Sequence, residues 1–312
     1  MILKFFPGIY LGWGLGANDS ANVFGPQAYS GIISYKTAAF LTAVFVMLGA
    51  VFEGEKCFYQ IGSMTSPSTW FTAFLAALSA GIMIHIMSYL KIPVSTSHAI
   101  VGSLIGVALF HKNPINTSRL IKSVICWIIT PVGAILFSFI LFFILRVFFS
   151  NIKNVIVYNT IIRIFSIGIG CYGAYTLGAN NLANVVGVYV GAGMLSTFTA
   201  KLLGGIAISI GVLTYSRNVM ETVGKGIAVL DPFSALTAIL SGAIVLHIFA
   251  EIGVPVSSSQ AIVGAVFGVG LLRSTRTISY KKLIQIFSGW IFTLFGTVLF
   301  GYVFSFILTF IK

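Results

Sequence analysis

Two stretches of this chain are near copies of each other, and both place polar residues inside otherwise apolar sequence of membrane length. GANDSANVFG begins at Gly16 and GANNLANVVG at Gly178, with seven of ten positions identical. PVSTSHAIVGSLIG begins at Pro93 and PVSSSQAIVGAVFG at Pro255, with nine of fourteen identical. Both pairs lie at the same offset of 162 residues, so the chain is an internal duplication. A membrane-embedded duplication whose most alike parts are polar and broken by Gly and Pro is built like a secondary transporter. The offset maps residues 1–150 onto 163–312, a first and a second transmembrane repeat, and leaves 151–162 as a connector. Gly31 and Gly193, Ser79 and Ser241, and His85 and His247 fall into the same register.

Composition makes the bilayer the setting. Hydrophobic residues are 58% of the 312 and charged ones only 8%, where a soluble chain carries roughly 25% charged. Mean hydropathy is +1.03. Apolar runs at 70–90, 120–149, 154–177, 197–214, 233–250 and 283–311 approach or exceed the roughly 20 residues that cross a hydrocarbon core. Runs at 4–17, 37–52, 99–110 and 261–272 are too brief to span cleanly and read as half-helices or hairpin arms. The expected fold is all-α and polytopic, with discontinuous helices and re-entrant hairpins, in the cell membrane.

A net charge of +12 would suit nucleic acid, but the basic residues collect in short polar joints, such as Lys112, Arg119 and Lys122 or Arg273, Arg276, Lys281 and Lys282. Headgroup-facing loops carry charge in this way. The bias does not orient the chain, because 111–122 and 146–163 flank one apolar run and each carries three basic residues. The scattered Cys57, Cys126 and Cys171 offer neither a disulfide framework nor a metal knuckle. The first apolar segment runs into the GANDS motif with no convincing cleavage site, so it reads as retained.

In the first motif Asn18 and Asn22 are four apart and Asp19 is three before Asn22, which lets all three share one side of a helical turn. Gly16 before them and Gly25-Pro26 after them allow the backbone to unwind. A carboxylate at membrane depth costs roughly 2.5–3.5 kcal/mol on insertion scales, so it faces a cavity, a cation or a proton path. A helix cap at the interface is the bland alternative. It does not explain why Asn18 and Asn22 recur as Asn180 and Asn184. In the second motif Pro93 and Pro255 stop a helix, and the hydroxyl runs Ser95-Thr96-Ser97 and Ser257-Ser258-Ser259 open a new one. Two helix N-termini converging from two repeats make a site for a small oxyanion. Ser257-x-x-Gln260 is also a capping-box pattern, but a cap uses one hydroxyl and each half has three in a row.

At these residues the chain resembles the PiT family of inorganic phosphate transporters. The family signature stands as GANDSAN (16–22) and GANNLAN (178–184), its proline-hydroxyl hairpin as PVSTSH (93–98) and PVSSSQ (255–260), and METVGKGI (220–227) looks like a further family feature. The resemblance implies inverted repeats, with phosphate held between the hairpins and a coupling cation served by the GAND motifs. By position the anion would meet Ser95, Thr96, Ser97, Ser257, Ser258 and Ser259. The cation would meet Asn18, Asp19, Asn22, Asn180, Asn181 and Asn184. Asn181 stands where the family usually has aspartate and Gln260 where it usually has histidine, which puts the cation number and the preferred anion in doubt. Some relatives carry sulfate.

The resulting expectation is a sodium- or proton-coupled symporter of inorganic phosphate, with a sulfate permease or an anion channel as alternatives. Asp19 argues against a channel, which needs no buried acid. An enzyme is not expected: His98 lies three residues past Ser95 without an acidic partner. His85 and His247, equivalent by position, would suit a symmetric metal site, but with no carboxylate or thiol near they are read as packing or hydrogen-bonding residues between helices. No resident metal or cofactor is expected beyond a transported ion. Expected partners are phosphate or a similar oxyanion, the coupling cation and lipid, with a homodimer left open and no nucleic acid. Glu221 and Lys225, four apart, read as a surface pair.

Overall fold

Apolar runs of this length meet no water along their backbone, so they close their hydrogen bonds within helices. The computed structural model describes residues 2–66, 68–217, 219–220, 230–273 and 278–310. Among these the helices are α1 (Phe6–Asp19), α2 (Ala21–Tyr29), α3 (Tyr35–Phe52), α4 (Phe58–Gly62), α5 (Trp70–Tyr89), α6 (Thr96–His111), α7 (Thr117–Ser150), α8 (Val155–Gly191), α9 (Thr197–Tyr215), α10 (Pro232–Glu251), α11 (Ser258–Arg273) and α12 (Tyr280–Phe310). METVGKGI beyond Met220, and with it the Glu221–Lys225 pair, lies outside the described residues.

One expectation changes. The run at 37–52 belongs to α3, an 18-residue helix long and apolar enough to cross a bilayer. Ser34 starts it early by accepting the Thr37 N–H, which brings in Tyr35 and Lys36 that an apolar count omits. The run at 154–177 starts where expected: Asn154 accepts the N–H groups of Ile156 and Val157 and opens α8 there, so most of the connector between the repeats is helical. Only residues 151–154 remain as a turn between α7 and α8.

The span-length runs at 70–90 and 233–250 are the first arms of helical hairpins. At the base of the first, the Ser66 N–H donates to the Pro114 carbonyl and the Asn116 N–H to the Met64 carbonyl. α5 and α6 thus enter and leave at the same end of the molecule. At the base of the second, Arg273 pairs with Asp231 and its Nε donates to Ser234 Oγ at 3.2 Å, closing α10 and α11 in the same way. Equivalent residues turn the two tips: Lys91 (φ 60°) and Gly253 (φ 76°) both take the left-handed conformation.

These returns fix the relation of the repeats. Seven of the described helices, α5 and α10 among them, are long and apolar enough to cross a bilayer. Because α6 runs back beside α5, the hairpin leaves the direction of the chain unchanged, and α1 with α2, α3 and α7 are three runs, an odd number that starts the second repeat in the opposite sense. The packing is reciprocal as well. A Cβ on Gly16 would overlap the Ile208 carbonyl, and one on the equivalent Gly178 the Val46 carbonyl. Gly49 lies in the same way against the Tyr175 carbonyl, and Gly211 against the Trp13 carbonyl. Each contact is its partner shifted by 162 residues with the repeats exchanged, which is the signature of a two-fold relation. Both hairpins lie largely buried inside, while Ile128, Phe143, Ile291 and Phe295 turn outward from α7 and α12 as a lipid-facing surface.

Candidate substrate and cation site

The two signature motifs share a sequence pattern but not a backbone. In the first copy the helix divides at Ser20, between α1 and α2. Pro26 inside α2 has no N–H to offer the Asn22 carbonyl, so that carbonyl loses its intrahelical partner. In the second copy Leu182 and Val188 stand at these two places, and α8 runs through without a break.

Asn18 and Asn180, expected among the cation ligands, spend both ends of their carboxamides on the hairpins. Asn18 Oδ1 accepts the Val94 N–H at 3.0 Å, and its Nδ2 donates to Ser88 Oγ at 2.9 Å and the Ile92 carbonyl at 3.2 Å. Asn180 Oδ1 accepts the Val256 N–H at 2.9 Å and its Nδ2 donates to the Leu246 carbonyl at 3.1 Å. Both residues are fully buried. They tie each hairpin tip to its own signature motif, and each carboxamide oxygen already accepts one backbone N–H.

The remaining polar residues converge on the starts of α6 and α11. Thr96 Oγ1 donates to Asp19 Oδ2 at 2.9 Å. Asn22 reaches into the other repeat, its Nδ2 donating to Ser258 Oγ at 3.1 Å. Asn184 does the reverse, donating to Ser97 Oγ at 3.0 Å and also to Asn181 Oδ1 at 2.9 Å. Ser97 Oγ in turn donates to the Val256 carbonyl at 3.0 Å, joining hairpin to hairpin. Ser95 and Ser257, expected among the anion contacts, stand at the two caps. Their hydroxyls accept the N–H groups of His98 and Gln260, both at 3.2 Å, and so cap the helices. Ser259 Oγ lies 3.0 Å from Ser257 Oγ. The two N–H groups ahead of each cap, on Thr96 and Ser97 and on Ser258 and Ser259, have no partner within their helices.

Among the described residues, four buried oxygens around these helix starts meet no hydrogen-bond donor: Asp19 Oδ1, Asn22 Oδ1, Asn184 Oδ1 and Gln260 Oε1. An unsatisfied buried acceptor costs about 1–3 kcal/mol, so four in one region require an explanation. Oxygen donors with a single carboxylate among them suit a small hard cation. Opposed to them, the paired helix starts suit an anion.

The sequence pattern of the phosphate transporter family matches residues 15–160 and again 150–301. The chain belongs to the phosphate transporter family. A Methanocaldococcus jannaschii protein provisionally named a phosphate permease is 29% identical over 302 residues, covering 96% of this chain and 95% of its own. The sulfate permease CysP of Bacillus subtilis is 29% identical over 281 residues, covering 89% and 79%. A solved structure titled "The sodium-dependent phosphate transporter" shares the fold, with a TM-score of 0.88 at 23% identity over 100% of this chain and 99% of that one. The family is one of permeases rather than enzymes, and this member is an integral, multi-pass membrane protein.

Within this family member, His98 and Gln260 occupy equivalent positions and face each other, Nε2 to Nε2, at 3.5 Å. The His98 ring rests on Trp127 with centroids 4.1 Å apart, a neighbour that nothing in the sequence announced. The cavity beside Asn22 and Ser258 holds about 10 Å³, room for about one water and too little for a tetrahedral oxyanion. His247 hydrogen-bonds between helices, as expected, but its surroundings differ from the expectation. Carboxylates do lie beside it: Glu251 one turn on in α10 and Glu53 from the end of α3. The i, i+4 spacing from His247 to Glu251 was available in the sequence. The Glu53 contact spans 194 residues and was not.

Proposed function

We propose that this protein carries inorganic phosphate across the cell membrane together with a coupling cation, sodium or a proton. The observation that supports this best is the pairing of two opposed hydroxyl-rich helix starts with four buried, donorless oxygens. The anion would take the free N–H groups and hydroxyls of Thr96, Ser97, Ser258 and Ser259. Ser95 and Ser257 would hold those helix ends in shape. Asp19, Asn22 and Asn184, with Asn181 beside them, would receive the cation. A dianion and the Asp19 carboxylate repel each other unless a positive charge lies between them, so each substrate makes room for the other. Binding would order the two hairpins around the pair, and release on the far side would follow from rocking the inverted repeats about a fixed site.

Phosphate at neutral pH still carries a proton to donate, whereas sulfate offers only acceptors. Gln260 Oε1 is a buried acceptor without a donor, and this favours phosphate. The likeness to a sulfate permease keeps sulfate as the second reading. Radiolabelled phosphate and sulfate uptake into proteoliposomes, with sodium and proton gradients imposed separately, tests both. Saturable phosphate accumulation driven by one gradient is expected. Unsaturating flux, or chloride moving as fast as phosphate, would mean a channel.

A further inference from the structure

Away from the central site, side chains from both repeats meet where α3 and α10 end. His247 Nε2 lies 3.0 Å from Glu53 Oε2 and 3.6 Å from Glu251 Oε1. One ligand atom from each of the three residues falls within 4.8 Å of the others. These are hydrogen-bond and ion-pair distances, and they also lie near the roughly 3.4 Å that separates two ligands each about 2.1 Å from one tetrahedral zinc. The support around them is also that of a metal site. Tyr172 Oη sits 2.8 Å from His247 Nδ1, and the Tyr175 hydroxyl donates to Glu53 Oε1 at 2.7 Å. Glu251 is 55% exposed, which leaves the cluster open on one side.

A cation already sits against these carboxylates. Lys56 Nζ lies 2.5 Å from Glu251 Oε1 and 3.3 Å from Glu53 Oε2. The equivalent place in the other repeat has no such chemistry. His85 is surrounded by the rings of Tyr10, Trp13 and Tyr215 at 5.8, 5.5 and 6.3 Å between centroids. At the 162-residue offset Tyr215 stands for Glu53 and Tyr89 for Glu251. Duplication by itself therefore does not account for a histidine between two carboxylates, and each chain holds one such cluster among the described residues.

We propose that Glu53, His247 and Glu251 form a site for a divalent transition-metal ion of the zinc type, which displaces Lys56 and staples the two repeats together. Nε2 gives its lone pair to the metal, the ring proton moves to Nδ1 and is donated to Tyr172 Oη, and the Lys56 ammonium swings into the open side. A water completes the tetrahedron. Because Glu53 belongs to the first repeat and the other two ligands to the second, occupancy would hold together elements that phosphate carriage requires to move.

The test uses the purified full chain in detergent, titrated with zinc chloride against a fluorescent zinc indicator, and involves no phosphate. One zinc per chain is expected, undiminished by excess magnesium. His247→Gln and Glu251→Gln should each weaken it by more than about tenfold, and Tyr172→Phe by about tenfold. Lys56→Gln should tighten it by removing the competing ammonium. Glu251→Gln, on a half-exposed side chain, serves if His247→Gln does not fold. Zinc binding that is absent, that survives Glu251→Gln, or that Lys56→Gln leaves unchanged would overturn the site and leave an ion-pair cluster only.

Discussion

Asp19 and Asn181 occupy equivalent places in the two repeats, yet the backbone around them is built differently. The first copy carries a charge, a break at Ser20 and a proline that strips the Asn22 carbonyl of its partner. The second is neutral and continuous, with Leu182 buried against Gly54 and Gly204 where the first copy has a buried, unpartnered serine. The hairpin ties, by contrast, are the same in both, from Asn18 to Val94 and from Asn180 to Val256. Duplication thus keeps the joints that set geometry, while the charge and the loosened carbonyl are confined to one copy. Two facing carboxylates would repel each other over a dianion, and confining the charge to one side avoids that.

The largest effect should come from erasing the charge difference. Asp19→Asn makes both motifs neutral, and gradient-driven phosphate accumulation in proteoliposomes should vanish while the protein remains folded by circular dichroism. A variant that still concentrates phosphate would move coupling to another residue. Next in size, replacing residues 95–97 or 257–259 by alanine removes donors to a buried anion, each worth about 1.5–3 kcal/mol. Phosphate affinity, measured by equilibrium binding, should fall at least about tenfold in each case. One dispensable triplet would show that it serves only as a cap.

A smaller change is expected from making the first backbone resemble the second. Pro26→Val restores an N–H to the Asn22 carbonyl and should raise thermal stability, by up to about 3 kcal/mol. Phosphate uptake should fall several-fold, since a satisfied carbonyl is a poorer cation ligand. Raised stability with full uptake would make the break a packing feature. The finest test is Asn181→Asp, which adds the charge that the second copy lacks. The reversal potential should shift toward one more cation per phosphate, or uptake should gain a new pH dependence. Unchanged stoichiometry in an active variant would place residue 181 outside the ion path.

The duplication and the membrane setting were legible in the sequence because register and hydropathy are local properties. The hairpins were harder to place. α5 and α10 have the 20 residues of a true span, and only the hydrogen bonds at their bases reveal that the chain turns back. Ser34 moved the start of α3 through capping that an apolar count ignores. Within the site, residue types foretold where polar groups would gather but not how their atoms are shared out. Asn18 and Asn22 look alike in the motif, yet one spends its oxygen on Val94 and the other keeps it free. That division depends on where the hairpin tip docks, about 75 residues further on.

The glycine seams impose an order on how the chain matures. Gly16 and Gly49 find their backbone partners only at Ile208 and Tyr175, in the repeat made later. At roughly 5–20 residues per second, the ribosome needs on the order of ten seconds to go from the end of α3 to α9. During that interval the first repeat sits in the bilayer with its small-residue grooves lined by lipid, and it can close only when the second arrives. Its early partner is therefore the insertion machinery or the lipid itself, and a chain that stalls between α7 and α9 would leave an unfinished half with adhesive faces.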